Sequence, residues 1–360
     1  MHHMDATYGQ KAYSVNEKNV YSQLMFETNF TQEHNLALGA SFNHDYLGQT
    51  YLTQPVREKE NVVGAYAQYT FNLHEKLVAM AGVRVDHSSE YGTFFTPRFH
   101  VKWQVNDILG LRASVGKGYR TVHALAENNY LMASGRQLVI DKLNQEDAWN
   151  YGLSAALNIP IARKTLRVNA EYYYTHFGNQ AIIDYDSDPS KITITNLNGK
   201  SYSHTFQVDA SYEMFRGMTV TAAYRYNDVK TTYGGELLRK PLTSKYKGLL
   251  TASYKTPLGL WQFDATLALN GGGRMPKPYT NADGTPSWKE EYPAYAQLNA
   301  QITRWFRKFS VYVGGENLTG YKQKNPIIDA AHPWSSTFDP TLVWGPMEGA
   351  RAYIGIRYKI

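Results

Sequence analysis

The chain has no cysteine among its 360 residues. That excludes a disulfide scaffold and Cys-ligated zinc or iron–sulfur centres, and says little about compartment. It also lacks any run approaching the roughly 18 to 20 consecutive apolar residues that a membrane-spanning helix needs. Barrels escape that test, because their strands alternate apolar and polar side chains and window averages cancel. The start, MHHMDATYGQ, has neither a basic n-region nor an apolar h-region. Either the protein is not exported or its N-terminus lies upstream of this sequence. Charged residues are few, at 19%, and the net charge of +6 is spread over the chain without a run of five or six cations. A nucleic-acid partner is therefore not expected.

What is present is tyrosine, 29 residues of it, and alternation. In GARAYIGIRYKI (349–360) Ala352, Ile354, Ile356 and Tyr358 share one face, while Arg351, Tyr353, Gly355, Arg357 and Lys359 share the other. Leu166, Val168, Ala170, Tyr172 and Tyr174 oppose Arg167, Asn169 and Glu171 in the same way, and Trp261 to Leu269 and Ala296 to Ile302 repeat it. Period two without a sustained helical period means strands. The pattern predicts about 15 of them, each about 10 to 14 residues long, against a usual mode of about 5 to 6 in globular sheets. They fall near 19–30, 34–47, 60–73, 75–88, 95–105, 107–118, 146–159, 164–176, 201–214, 217–230, 245–256, 260–271, 294–305, 308–317 and 349–360. A tilted strand of about 9 to 11 residues crosses a bilayer, and these are long enough.

The connections alternate strictly in length. Short ones (TQE, LHE, ND, IPIAR, FRG, TPLG, FRK) interleave with long ones near 48–59, 88–94, 119–145, 177–200, 231–244, 272–293 and 318–348. Tight turns at one end and large loops at the other are the asymmetry of bacterial outer-membrane barrels. Aromatics cluster at strand ends (Phe94 and Phe95, Trp149 and Tyr151, Tyr172 to Tyr174, Tyr224 and Tyr226, Trp305 and Phe306), as two interfacial girdles would require. Tyr being a good strand former is the competing explanation. The reading is all-β, a transmembrane antiparallel β-barrel whose oily faces meet lipid and whose polar faces look into a wet or plugged lumen.

Four stretches then carry a resemblance. GKGYRTVHALAEN (116–128) resembles the "FRAP" box that opens the seventh extracellular loop of TonB-dependent outer-membrane receptors, of the kind found in Bacteroidetes. LNQEDAWNYGLS (143–154) looks like the box that closes that loop. GGENLTGYKQKNPI (314–327) resembles the motif ending the penultimate strand, and FDPTLVWGPMEGARAYIGIRYKI (338–360) the last loop and closing strand. Two positions depart from the pattern: Thr121 stands where the box has Pro, and the chain ends in Ile360 where such barrels usually end in Phe or Trp. Against an expected total of roughly 22 strands, about 15 would make this the C-terminal part of the barrel. The plug, its TonB-contacting segment and the first strands would then be absent, and residues 1–18 would belong to an extracellular loop. An odd number of antiparallel strands cannot close with antiparallel pairing throughout, so the sheet is expected to stay open, or to leave one seam parallel or unpaired, and the isolated chain to aggregate rather than transport.

The resemblance implies a transporter rather than an enzyme, located in the outer membrane. It would take up a metal chelate or cofactor (ferric siderophore, haem, cobalamin) with energy delivered by TonB, and the chain itself would hold no resident cofactor. Lipid and lipopolysaccharide are the remaining expected partners, the latter meeting loop cations such as Arg239 and Lys240. Ligand-facing candidates lie on the loops: Arg120, His123, Glu127 and Asn128 in the box-like stretch, and His332 with Trp334 as a stacking surface in the last long loop. A structural Arg120 paired with Glu127 or Asp141 competes with the ligand-facing role. His123 would be an axial ligand if the substrate were haem; a surface histidine without that role competes. Asp184, Asp186 and Asp188 alternate in DYDSD, but the Gly and Glu of an EF-hand do not follow, leaving a solvated acidic loop. There is no Gly-rich phosphate loop and no Ser/His/Asp spacing that argues for hydrolysis. A passive porin, a soluble all-β binding protein and an outer-membrane enzyme are the alternatives.

Overall fold

The computed structural model describes residues 2–280 and 284–359. Fifteen strands form one curved wall: β1 Lys11–Asn29, β2 His34–Tyr51, β3 Gln54–Leu73, β4 Leu77–Ser88, β5 Gly92–Gln104, β6 Leu109–Arg120, β7 Glu146–Ile161, β8 Lys164–Asn179, β9 Ser201–Phe215, β10 Met218–Tyr233, β11 Tyr246–Lys255, β12 Trp261–Asn270, β13 Tyr295–Trp305, β14 Phe309–Glu316 and β15 Arg351–Tyr358. Each pairs antiparallel with its sequence neighbour. The expected order holds and these fifteen long strands match the expected count; the same sheet also takes in two short strands at the loop end, His2–Tyr8 and Glu236–Arg239. The first strands are longer than expected, at 18 to 20 residues for β1 to β3. Residues 2–8 and 11–29 form a hairpin rather than a loop, and the connection expected at 48–59 is mostly strand, turning at Leu52 with a positive φ of 56°. Alternation fades there because a strand rising clear of the wall has no apolar side to satisfy.

Face assignment follows from β4. Val83 and Val85 are 46% and 45% exposed, whereas Asp86 between β3 and β5 is 1% exposed and pairs with Arg84 at 2.6 Å. Arg84 also donates to Ser41 two strands away at 2.7 Å. The polar side is therefore the concave one: Gln23, Glu27, Asn35, Gln68, Arg84, Arg98 and Lys117, drawn from six successive strands, line one cavity of about 450 Å³. Thr221–Ser211 (3.0 Å), Ser253–Asp264 (2.6 Å) and Asn169–Asp209 (2.9 Å) continue hydrogen-bonded polar ladders along the inner face. In register outside them run Val220, Ala252, Ala265, Ala300 and Gly315, with Leu250, Leu267 and Leu298 one pleat away. Burying charge beside charge while exposing valine is the reverse of a water-soluble sheet.

Tyrosine and glycine meet on the inner face. A Cβ added at Gly39 would sit 2.3 Å from the Tyr66 ring, at Gly152 2.6 Å from Tyr173, at Gly314 2.5 Å from Tyr353 and at Gly355 2.3 Å from Tyr312. Each ring lies flat over a neighbouring strand whose missing side chain makes the room. Part of the tyrosine excess is thus mortised into the lumen wall and is not girdle.

Two outer aromatic belts remain. At the tight-turn end Tyr254, Phe263 and Trp261 stack in sequence, at 6.3 and 6.4 Å. At the loop end Trp149, Tyr151, Tyr174 and His204 do the same. On β11 the outward Tyr246 and Tyr254 are eight residues apart, about 27 Å of strand and about 20 Å along an axis tilted by about 40°. Three expected girdle residues turn inward instead: Tyr173 lies over Gly152, Phe94 stacks on Tyr119 at 4.7 Å, and Trp305 receives Lys255 over its ring at 5.5 Å.

Among the described residues no pairing joins β15 to β1, so the wall is open. Its edges are exposed, with Leu24 and Ile354 both at 77%. The buried apolar clusters lie at the loop end. Leu131, Ile192, Ile194, Tyr185, Tyr292 and Leu342 form one with Val122 and Met275, and Tyr13, Leu47, Leu125 and Met132 belong to a second. A small sheet, 137–140 parallel to 191–196 and that antiparallel to 181–184, supplies the first cluster's frame. The long loops thus form a cap with its own core. Among the described residues no helix is long and apolar enough to cross a membrane.

Candidate functional site

Where β2 and β3 rise past the wall, Asp45, Glu58 and Glu60 face the segment 121–145. That segment leaves β6, makes a helical turn at Ala124–Glu127 and returns as β7. Between them lies a cavity of about 1020 Å³. Its lining holds six carboxylates (Asp45, Glu58, Glu60, Glu90, Asp141, Asp147) against Arg57, Lys59 and Lys142, an excess of three negative charges before His123 is counted.

The carboxylates are held mostly by neutral donors. Glu60 accepts from Ser88 (2.5 Å), Thr121 (2.8 Å) and Gln145 (3.3 Å). Glu58 accepts from Gln49 (2.8 Å), itself fixed by the Tyr13 hydroxyl at 2.8 Å. His123 sits between two acids: Nδ1 is 2.6 Å from Glu58 and Nε2 3.4 Å from Asp45. The Glu58 hydrogen bond raises its pKa above the usual histidine value, against the opposing effect of burial. With both ring nitrogens engaged, neither is free to bind a haem iron in this conformation. Thr121, at the position of the box's proline, uses its hydroxyl to tie Glu60 to Gln145, whose Nε2 lies 2.9 Å away.

Arg120 pairs with Glu127 at 2.7 Å and with Glu146 at 2.8 Å. It joins the start of the loop to the first residue of β7 and so pins the neck of the segment; Asp141 is not its partner. Glu127 in addition accepts from the His123 backbone N–H at 3.0 Å, capping the helical turn. Asn128 donates to the Ala124 carbonyl at 2.9 Å and lines a separate cavity of about 400 Å³ with Tyr130, Tyr185 and Tyr233. His332 and Trp334 lie elsewhere, and neither lines the cavity that holds His123. His332 is hydrogen-bonded to Asp329 at 2.7 Å, and Trp334, 74% exposed, lies against Gly9. Asp329, accepting from Thr337, His332 and Ser335, is held down at about 2. The DYDSD acids diverge: Asp186 binds Arg274 at 2.7 Å, Asp184 and Asp188 bind nearby serines. Among the described residues no group of three His, Asp or Glu is placed to hold a metal ion.

A sequence model of the TonB dependent receptor-like β-barrel matches residues 3–318. The chain belongs to this family. Solved receptors and transporters share its fold at low sequence identity. The ferric enterobactin receptor PfeA of Pseudomonas aeruginosa is 13% identical with a TM-score of 0.68, over 96% of this chain and 54% of that one. The copper transporter OprC is 13% identical with a TM-score of 0.72, over 97% and 57%. The FrpB iron transporter of Neisseria meningitidis is 12% identical with a TM-score of 0.67, over 97% and 55%. This barrel chain thus spans about half the length of those structures. No curated protein sequence matches it.

Two features of the site were not foreseen. Glu58 and Glu60 sit in REKE (57–60), where acids at alternate positions share the inner face; the signal was alternation of sign rather than of hydrophobicity. Arg136 and Asp339, 3% and 2% exposed, form a buried ion pair between the segment 121–145 and the last long loop. Nothing local marks two residues 203 positions apart as partners.

Proposed function

We propose that this chain forms part of the barrel of an outer-membrane receptor that takes up a metal chelate, such as a ferric siderophore or haem, with energy delivered through TonB to a segment outside the chain. One observation carries the reading: a continuous apolar band on the outside of a wall whose inside is hydrogen-bonded and charged, a division that only a lipid-facing barrel requires. The printed descriptions of the structural neighbours, a ferric enterobactin receptor, an iron transporter and a copper transporter, support a metal-linked cargo. The loop cap with its own core supports gated entry over a passive pore, and the acidic cavity beneath it is the candidate ligand contact. Arg120, His123 and Glu127 are proposed to position that segment, while Asn128, His332 and Trp334 are proposed as outer loop contacts. Arg239 and Lys240 are proposed to meet lipopolysaccharide phosphates. The protein on this reading is no enzyme.

The test is uptake. Deleting the gene that carries this segment should abolish growth on one ferric siderophore or haem as sole iron source, and an uncoupler of the inner membrane should stop labelled uptake in the parent. Uptake that continues with the uncoupler present would show a passive pore instead.

A further inference from the structure

Two tight turns carry the same dipeptide, Phe215–Arg216 and Phe306–Arg307. Their rings are not tucked in. Phe215 is 56% and Phe306 45% exposed, next to Met214 at 59% and Phe309 at 39%, and the turn between them shows Leu258 at 82%. Turns standing in water have no reason to display such side chains, whereas turns resting at the boundary between acyl chains and headgroups do.

The same stretch of rim is basic. Arg163, Arg216, Arg307 and Lys308 are exposed at its turns, and its one ion pair among the described residues joins Lys164 to Glu213 at 3.0 Å. Arg304 stands on the outward face, in register with Trp261. Its guanidinium lies 4.9 Å from the Trp261 ring centre and 5.5 Å from that of Phe306. A cation laid over girdle aromatics is held at headgroup depth with its donors still free. The turns joining β1 to β6 are different in kind: they carry Glu33, Glu75 and Asp107 against Lys76. The charge is thus a property of one sector and not of the rim as a whole.

We propose that the tight-turn rim from residue 161 to residue 310 binds the headgroups of anionic phospholipids. Arg216, Arg304, Arg307 and Lys308 seat the phosphates, and Phe215, Phe306 and Leu258 lie against the upper acyl chains. The chemistry matches on both counts, since phosphate takes the unpaired cations and hydrocarbon takes the rings beside them. The inference rests on the membrane placement proposed above and is independent of what the receptor carries.

The experiment uses the full receptor, purified and reconstituted into phosphatidylcholine vesicles containing a trace of spin-labelled phosphatidylglycerol or spin-labelled phosphatidylcholine. The protein-restricted fraction of each label is read by electron spin resonance. The parent should prefer phosphatidylglycerol by about five-fold, roughly the effect of one basic residue near a charged surface. The preference should fall to near one in the R216Q/R304Q/R307Q/K308Q variant and return when the three arginines are replaced by lysine instead. Mobility on unboiled gels shows whether each variant folds, and R304Q alone should lose part of the preference should the quadruple variant not fold. Equal restriction of both lipids by the parent would overturn the proposal and leave an acidic protein as the rim's partner. A preference surviving in a folded variant would overturn it too. A receptor that fails to float with the vesicles would overturn the membrane placement as well, so the two failures are distinct.

Discussion

Replacing Asp339 by Asn takes the counter-charge from a guanidinium that is 3% exposed. Asp339 receives Nε of Arg136 at 3.1 Å and a second, shorter bond from its terminal nitrogen. Its other oxygen accepts from the backbone and hydroxyl of Thr341 at 2.8 and 2.6 Å. Asn keeps an amide oxygen that can accept from Arg136 but brings no charge, and the Tyr185 ring, 5.3 Å away, is the remaining favourable contact. Leaving one member of a buried pair uncompensated costs about 3 to 5 kcal/mol. Because the pair joins two loops and no wall strand, that cost falls on the cap. At 1.4 kcal/mol per tenfold, cap opening becomes about a hundred to a few thousand times more frequent. Hydrogen exchange at Ile192 and Ile194, both 0% exposed and in the same apolar cluster, reads the change directly. Those amides should exchange faster by that factor in D339N, while amides of β11 and β12 keep the parent's rates. Exchanging both partners for apolar residues, Arg136→Met with Asp339→Leu, should recover most of the loss. Unchanged exchange at Ile192, or a wall that loosens together with the cap, would refute the reasoning.

Two further outcomes follow from the same geometry. His123 has a raised pKa, so its pairing with Glu58 and Asp45 is fully present below about 6.5 and is lost as pH rises through the raised value. Exchange protection of residues 121–145, corrected for the intrinsic pH dependence, should fall across that window in the parent and stay flat in His123→Gln. Gly39→Ala should push the Tyr66 ring off β2 and break its hydrogen bond from Gln23, 2.9 Å in the parent. The cost should be about 1 to 3 kcal/mol, read as a lower urea midpoint for unfolding of the receptor; an unchanged midpoint would show that the ring gives way freely.

The wall was legible in the sequence because its rule is local. Trp261 to Leu269 and Ala296 to Ile302 must alternate whatever lies around them, so strand number, order and facing could all be read from period two. Length was misjudged where that rule lapses: β1 to β3 continue as strand beyond the apolar band, and there Arg57 to Glu60 alternate only in charge. The aromatic girdles were half legible. Phe94 and Trp305 have the right chemistry for an interface, but strand parity turns them to the lumen. The cap was least legible, since its contacts join residues far apart in sequence. Arg120 pairing with Glu127 lies within one motif and could be named beforehand; its second partner Glu146, across the loop, could not.

The cap's private core has an evolutionary consequence. Leu131, Ile192 and Leu342 belong to one buried cluster, so the residues around them can change while the alternating pattern of the wall stays intact. Selection then acts on two nearly separate texts in one polypeptide. An alternating text is satisfied by a vast number of spellings, which is how chains only 12 to 13% identical arrive at TM-scores of 0.67 to 0.72.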